Sequence, residues 1–159
     1  MRAALALALL VAAAAAPSAG AAARPCRTSD LRLVFAGSQG AAGTMFESLR
    51  LSPHRGVSCT LRGYPGVSLL GRHGRTLPVA VGREPGTVAT LAFSHARPAR
   101  FDVRHPSFDP RTTRPCRIHV FFFRVIPPGE TSALTVSTGS QSRFFCRASV
   151  RVTPVGRHY

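Results

Sequence analysis

Three side chains that together could form a hydrolytic site occur within five residues: His105, Ser107 and Asp109. A serine hydrolase needs a serine nucleophile, a histidine that takes its proton and usually an acid that orients the histidine. Alternate residues of an extended segment point the same way, so the spacing places these side chains on one side of a strand. Triad members rarely come from one stretch, and no Gly-x-Ser-x-Gly elbow is present. A secreted hydrolase at these residues is the alternative hypothesis; the sequence favours a non-catalytic protein.

Other catalytic groups are sparse. Six Asp and Glu residues occur in all, which leaves little basis for the paired carboxylates of a glycosidase. The histidines show no His-x-His or His-x-x-x-His spacing and no Cys-x-x-Cys pair occurs, so we predict neither a metal site nor a cofactor. His119 falls within a strand pattern. The other histidines are expected to lie in loops exposed to solvent: His54, His73, His95, His105 and His158.

The first 23 residues are typical of a secretory signal peptide. Met1-Arg2 gives a positive start, Ala3 to Ala16 form an apolar run, and Pro17 to Ala23 are small residues with Ala-x-Ala cleavage sites. The run is too short and too rich in alanine for a membrane span, and no later span is expected. We therefore predict a secreted protein, extracellular or associated with the cell envelope.

Residues 24–159 are expected to form a single domain and to be monomeric. Because exported proteins reach an oxidising compartment, the four cysteines are expected to form disulfides. The four are Cys26, Cys59, Cys116 and Cys146. Four cysteines allow three pairings, and the residues alone leave all three open.

Arginine provides the main candidate for a binding surface. All 21 basic residues are Arg, and the formal net charge is +15. The densest cluster spans residues 97–117, where Arg100, Asp102 and Arg104 alternate with apolar residues. This alternation predicts a strand whose arginines face solvent. The candidate binding residues are Arg97, Arg100, Arg104, Arg111 and Arg114.

Two interpretations of this cluster remain open. In the first, it is a soluble charged face that Asp102 and Asp109 partly neutralise. In the second, the guanidinium groups dock an anionic polymer of the cell envelope, or an acidic protein, by pairing with phosphates or carboxylates. No nucleic-acid partner is expected, because export separates the protein from the genome and no arginine-aromatic motif of a known nucleic-acid reader is apparent.

Short alternating runs, broken by Gly and Pro, predict an all-β sandwich. Residues 148–152 form the cleanest half-buried strand. The stretch from Arg117 to Ile126 is apolar on both faces, which predicts one central strand covered on both sides. Pro127-Pro128-Gly129-Glu130 predicts a hairpin turn. Glu47 interrupts an otherwise apolar strand face, which a bulge or an edge position would explain.

Four motifs carry a resemblance. They are Cys26-Arg-Thr-Ser-Asp-Leu, the corner from Cys59 to Val67, Pro127-Pro128-Gly-Glu-Thr and the terminal Val150-Arg-Val-Thr-Pro-Val. In this order, and with four cysteines, they resemble the secreted actinobacterial family catalogued as domain of unknown function 4232. The resemblance covers nearly all of residues 26–155. It implies an immunoglobulin-like antiparallel β-sandwich, export, no assigned activity, and the sequential disulfides Cys26–Cys59 and Cys116–Cys146. The chain departs from the family at Ser94-His95-Ala96-Arg97, where members typically carry a Pro-Gly-Gly turn.

Overall fold

Alternating apolar and polar residues shape the strands, as in Ala99–Pro106, where every second side chain is buried. The computed structural model describes residues 23–139, 143–147 and 149–156. Residues 1–22 of the predicted signal peptide lie outside this part. The strands are β1 (Leu31–Ala41), β2 (Thr44–Pro53), β3 (Ser58–Leu61), β4 (Gly66–Leu70), β5 (Val81–Arg83), β6 (Leu91–Ser94), β7 (Ala99–Pro106), β8 (Ile118–Val120), β9 (Phe122–Ile126), β10 (Leu134–Ser137), β11 (Arg143–Phe145) and β12 (Val150–Val152).

The strands form one large sheet and several small ones. The large sheet has the order β1-β2-β7-β12-β5, and a three-stranded sheet has the order β10-β9-β4. β11 pairs with β8, and β3 pairs with β6. The pairings are antiparallel, except that β5 runs parallel to β12. The five-stranded sheet supplies one layer of the fold, and the three-stranded sheet supplies the layer that covers it.

Aromatic side chains join the two layers. Phe35 of β1 stacks on Phe123 of β9 with ring centroids 5.9 Å apart. Phe101, Phe123 and Phe145 are fully buried, and Leu49 of β2 lies in the same core. Burying one such side chain stabilises the fold by about 1.5–3 kcal/mol. The predicted all-β sandwich is confirmed.

Both disulfides implied by the family resemblance are present. Cys26 is bonded to Cys59, and Cys116 is bonded to Cys146. No free cysteine occurs in the described residues. Two disulfides agree with an oxidising compartment outside the cytoplasm. The part of the chain that the structure describes contains no helix with the length and hydropathy of a membrane span.

The predicted continuous strand from Arg117 to Ile126 is wrong. The chain breaks at Phe121, so that β8 pairs with β11 while β9 lies between β10 and β4. Phe121 instead donates its N–H to the carbonyl of Leu70 (2.9 Å) and accepts a hydrogen bond from the N–H of Thr138 (2.9 Å). The two halves of this stretch lie in different sheets, because β8 has β11 as its neighbour whereas β9 has β10 and β4. The central position predicted for this stretch holds for β9, and the predicted hairpin joins β9 to β10.

Two acidic side chains fasten the segment before β1. The carboxylate of Asp30 accepts hydrogen bonds from the guanidinium of Arg24 at 2.6 and 2.9 Å and from the N–H of Arg27 at 2.7 Å. The Arg24 guanidinium holds the pKa of Asp30 well below its usual range. Glu130 Oε2 accepts hydrogen bonds from the N–H (2.7 Å) and the hydroxyl (2.8 Å) of Thr28, and these bonds lower the pKa of Glu130.

These shifts predict a loss of stability in acid. A carboxyl whose pKa is lower in the folded than in the unfolded state stabilises the fold fully above its unfolded pKa, about 4, and this contribution is lost as the pH falls toward the folded value. In Asp30→Asn, the unfolding free energy should therefore decline less between pH 5 and pH 2 than in the wild type. Urea denaturation along this pH series measures the difference. Asp109→Asn, which removes an acid that forms no salt bridge within the described residues, is the control for the loss of one carboxylate.

Candidate functional site

The candidate arginines of residues 97–117 do not lie on one surface. β7 turns Arg100 and Arg104 to the outer face of the five-stranded sheet and buries Phe101 and Val103, which confirms the predicted alternation. Arg97 lies in the turn before β7, whereas Arg111 and Arg114 lie in the loop after it. A strand of eight residues is about 26 Å long, so Arg97 is far from the last two.

Arg104 is engaged within the protein. Its Nη1 donates to Glu84 Oε1 at 2.7 Å, and its guanidinium lies over the ring of Phe46, 4.7 Å from the centroid. Arg151 of β12 reaches the other oxygen of Glu84, with its Nε 4.0 Å from Oε2. Arg104 therefore joins β2, β7 and the residue after β5 and is less available to a ligand than the sequence predicts.

The loop after β7 has a defined conformation. The N–H of Asp109 donates to the carbonyl of Arg114 (2.7 Å), and Asp109 Oδ1 accepts a hydrogen bond from the N–H of Arg111 (2.8 Å). Thr113 adopts a left-handed backbone with φ 55°. Cys116 closes the loop through its disulfide to Cys146. This loop is thus fixed at both ends, by β7 and by the disulfide.

A groove of about 370 Å³ lies beside this disulfide, and we call it the disulfide groove. Arg114, Arg117 and Arg147 line it, and all three side chains are exposed. No salt bridge joins any of the three to an acid within the described residues. Three exposed arginines without an ion pair to a described acid therefore line one recess.

The remaining lining makes the groove suitable for an anionic ligand with apolar parts. Asp109 is the sole acid among its lining residues, so the local charge is positive. Ile118, which is partly exposed, adds apolar surface. Ligand sites of this volume combine apolar walls with a few polar groups that fix orientation.

Arg117 and Arg147 are absent from the five candidates, although the sequence contains a signal for them. Each follows a cysteine directly, in Cys116-Arg117 and Cys146-Arg147. Once these cysteines are paired, the two arginines must lie close together. Residues 97–117 alone do not reveal this proximity, because Arg147 follows Arg117 by 30 residues and is brought near it by the disulfide.

His105 does not lie in a solvated loop, and this prediction is wrong. Its side chain is 2% exposed, and its ring stacks on that of Phe145 with centroids 3.7 Å apart. Its Nε2 lies 3.3 Å from Oε1 of Glu47, which is 1% exposed. Glu47 Oε1 also accepts a hydrogen bond from the Ser38 hydroxyl (2.9 Å), and Arg143 Nε lies 3.7 Å from Oε2. The histidine thus belongs to a buried polar cluster.

The three residues of the hydrolase hypothesis have separate partners. Ser107 donates its hydroxyl to the carbonyl of Gly43 at 3.0 Å, and Asp109 binds the backbone of Arg111. His105 faces the interior and is paired with Glu47. No hydrogen bond joins the three to one another in this part of the structure, so the arrangement gives no support to a triad here. His54, His73 and His95 are exposed, as expected, and His158 lies outside the described residues.

Glu47 lies on an interior strand, because β2 pairs with both β1 and β7. The neighbouring strand β1 contains a bulge, where the register of its pairing with β2 shifts between Phe35 and Gly37. The extra residue places Ser38 opposite Glu47, and the serine hydroxyl then reaches the carboxylate. Of the two explanations for this interrupted face, the bulge is the one observed.

Comparison with known proteins identifies a family. A family model described as a domain of unknown function (DUF4232) matches residues 26–156. No curated protein and no solved structure matches the chain.

Proposed function

We propose that this chain, which belongs to the DUF4232 family, is a non-catalytic binding module that docks an anionic polymer of the cell envelope through the disulfide groove. One observation carries the proposal: Arg114, Arg117 and Arg147, all exposed and without an ion pair to a described acid, line a single groove. Guanidinium groups present planar donor forks that match phosphate and carboxylate oxygens.

The charge of the whole protein supports the same function. With a formal net charge of +15, the surface attracts polyanions over several ångströms. A groove lined mainly by one sign of charge concentrates that attraction, which speeds the encounter with a polymer. Arg111, in the same loop, adds to this field, and Arg97 and Arg100 add to it from the far end of β7.

The disulfide supports binding by holding the groove in shape. Arg117 and Arg147 flank the bonded cysteines, so their backbones are fixed before any ligand arrives. Preorganised groups lose less conformational entropy on binding than flexible ones do. The arginine side chains still have to be ordered, which limits the gain from each contact.

The test is retention of the protein on two immobilised probes, a glycerol phosphate polymer and a uronic acid polysaccharide. Changing Arg114, Arg117 and Arg147 together to Gln should weaken binding about 3- to 100-fold, since each exposed ion pair contributes about 0.2–1 kcal/mol. Wild-type binding should weaken steadily with added salt, because the screening length falls from about 8 Å at physiological ionic strength to about 3 Å at 1 M.

The matched control changes three exposed arginines outside the groove, Arg55, Arg75 and Arg124, to Gln. It removes the same charge and should weaken binding less than threefold. An equal loss in both triple variants would show a diffuse effect of charge and overturn the proposal. Failure of the wild type to bind either probe at low salt would overturn it as well.

A further inference from the structure

Two pairs of arginines face each other across neighbouring strands on the outer face of the five-stranded sheet. Arg104 of β7 lies opposite Arg151 of β12, and Arg100 of β7 lies opposite Arg50 of β2. Directly opposed residues of antiparallel strands have Cβ atoms about 4.5–5.5 Å apart, and like charges in such positions destabilise a sheet. A negative charge beside each pair would relieve this repulsion.

For Arg104 and Arg151, the protein itself supplies the negative charge. Glu84 accepts a hydrogen bond from Arg104 at 2.7 Å and lies 4.0 Å from Arg151, so one carboxylate bridges two guanidinium groups. The bridge removes the like-charge repulsion between β7 and β12. It provides one arrangement by which this sheet face accommodates two opposed arginines.

The second pair has no such bridge. The nearest acid on this face is Asp102, one row away, which accepts a hydrogen bond from the Ser48 hydroxyl at 2.6 Å. It forms no salt bridge with Arg50 or Arg100, nor does any other acid of the described residues. Within the described ranges, Arg50 Nε is buried and has no hydrogen-bond partner. Arg104 Nε likewise has no partner there, but Nη1 of Arg104 is hydrogen-bonded to Glu84.

We propose that Arg50 and Arg100 form a binding site for a phosphate monoester or inorganic phosphate, which bridges them as Glu84 bridges Arg104 and Arg151. Two cations match the charge of a phosphate dianion. A tetrahedral phosphate group also offers enough oxygens to pair with two guanidinium forks, whereas a carboxylate has two oxygens to share. The flanking residues of this row, Val34 and Gly156, bring no charge that would compete. This site is separate from the disulfide groove and does not depend on the function proposed for it.

The test is a calorimetric titration of the purified protein with inorganic phosphate. Chloride is used to keep the ionic strength constant. Arg50→Gln and Arg100→Gln should each weaken phosphate binding tenfold or more. Arg151→Gln, which removes the same charge from the bridged pair, should change it less than twofold. Glycerol phosphate should bind as inorganic phosphate does, and diethyl phosphate, a monoanionic diester, at least tenfold more weakly.

Thermal melting gives a second readout that a merely structural role for these arginines would not produce. In chloride, Arg50→Gln should melt at or above the wild-type temperature, because it removes repulsion. In phosphate, the wild type should gain several degrees and the variant should not. Binding that is unchanged in Arg50→Gln, or that falls equally in all three variants, overturns the proposal. So does a wild type that phosphate neither binds nor stabilises.

Discussion

Changing Cys116 and Cys146 together to Ala should lower the unfolding free energy by about 3–4 kcal/mol, the value that the chain-entropy model assigns to a loop of this length. The variant should also retain the anionic polymer less well at temperatures where it is still folded. The reason is geometric: without the bond, Arg117 and Arg147 are no longer fixed to one another and the groove loses its shape. Urea denaturation measures the first effect, and polymer retention at 15 °C measures the second.

The other disulfide is the matched control. Cys26 and Cys59 are 33 residues apart, against 30 for Cys116 and Cys146, so removal of either bond costs nearly the same chain entropy. Cys26–Cys59 joins the N-terminal segment to β3 and does not line the groove. Changing both of these to Ala should lower stability equally and leave retention intact. If both variants retained the polymer equally well, the Cys116–Cys146 disulfide would have no special role in binding, contrary to this prediction.

Glu47→Ala should lower the unfolding free energy by about 3–5 kcal/mol, which is typical when one partner of a buried ion pair is removed. The Ser38 hydroxyl, His105 Nε2 and Arg143 Nε all lie within 4 Å of its carboxylate oxygens and would lose their common partner. The substitution also opens a cavity in a core where Glu47 is 1% exposed. Urea denaturation at pH 7 measures the loss.

Glu84→Ala is the control for this prediction. It removes the same side chain from the surface, where Glu84 is 27% exposed and bridges Arg104 and Arg151. Ion pairs that are partly exposed contribute about 0–1 kcal/mol each, so the loss of the two pairs of Glu84 should cost about 2 kcal/mol at most, less than the loss of Glu47. If Glu47→Ala were no more destabilising than Glu84→Ala, the buried cluster would not stabilise the fold as we expect. Glu47→Gln, which keeps the shape and an acceptor for Ser38, should fall between the two.

Local periodicity made the strands of this protein predictable. The alternation around Arg100 and Arg104 is a property of neighbouring residues, and it gives β7 its buried and exposed faces. The same reasoning failed for Arg117 to Ile126, because apolar residues on both faces do not show that the chain changes sheets at Phe121. The disulfide pairing came from the family resemblance, since the cysteines alone allow three arrangements.

The candidate sites were harder to predict because their residues are distant in sequence. Glu47 and His105 are 58 residues apart, and the bulge in β1 decides which side chain meets Glu47. A shift of one residue would turn that strand's side chains to the other face. Likewise, no pattern near Arg104 indicates Glu84, and no pattern near Arg50 indicates Arg100. These contacts depend on the strand order and register of the large sheet, which a single sequence does not reveal.

The position of β12 in the large sheet makes the completion of that sheet depend on contacts between distant parts of the chain. β12 lies between β7 and β5, and among the described strands of that sheet β5 pairs with β12 alone. Until residues 150–152 take their place, β7 keeps an open edge and β5 is not joined to the sheet. Contacts so distant in sequence form slowly. Docking of β12 is therefore expected to be a late step in folding.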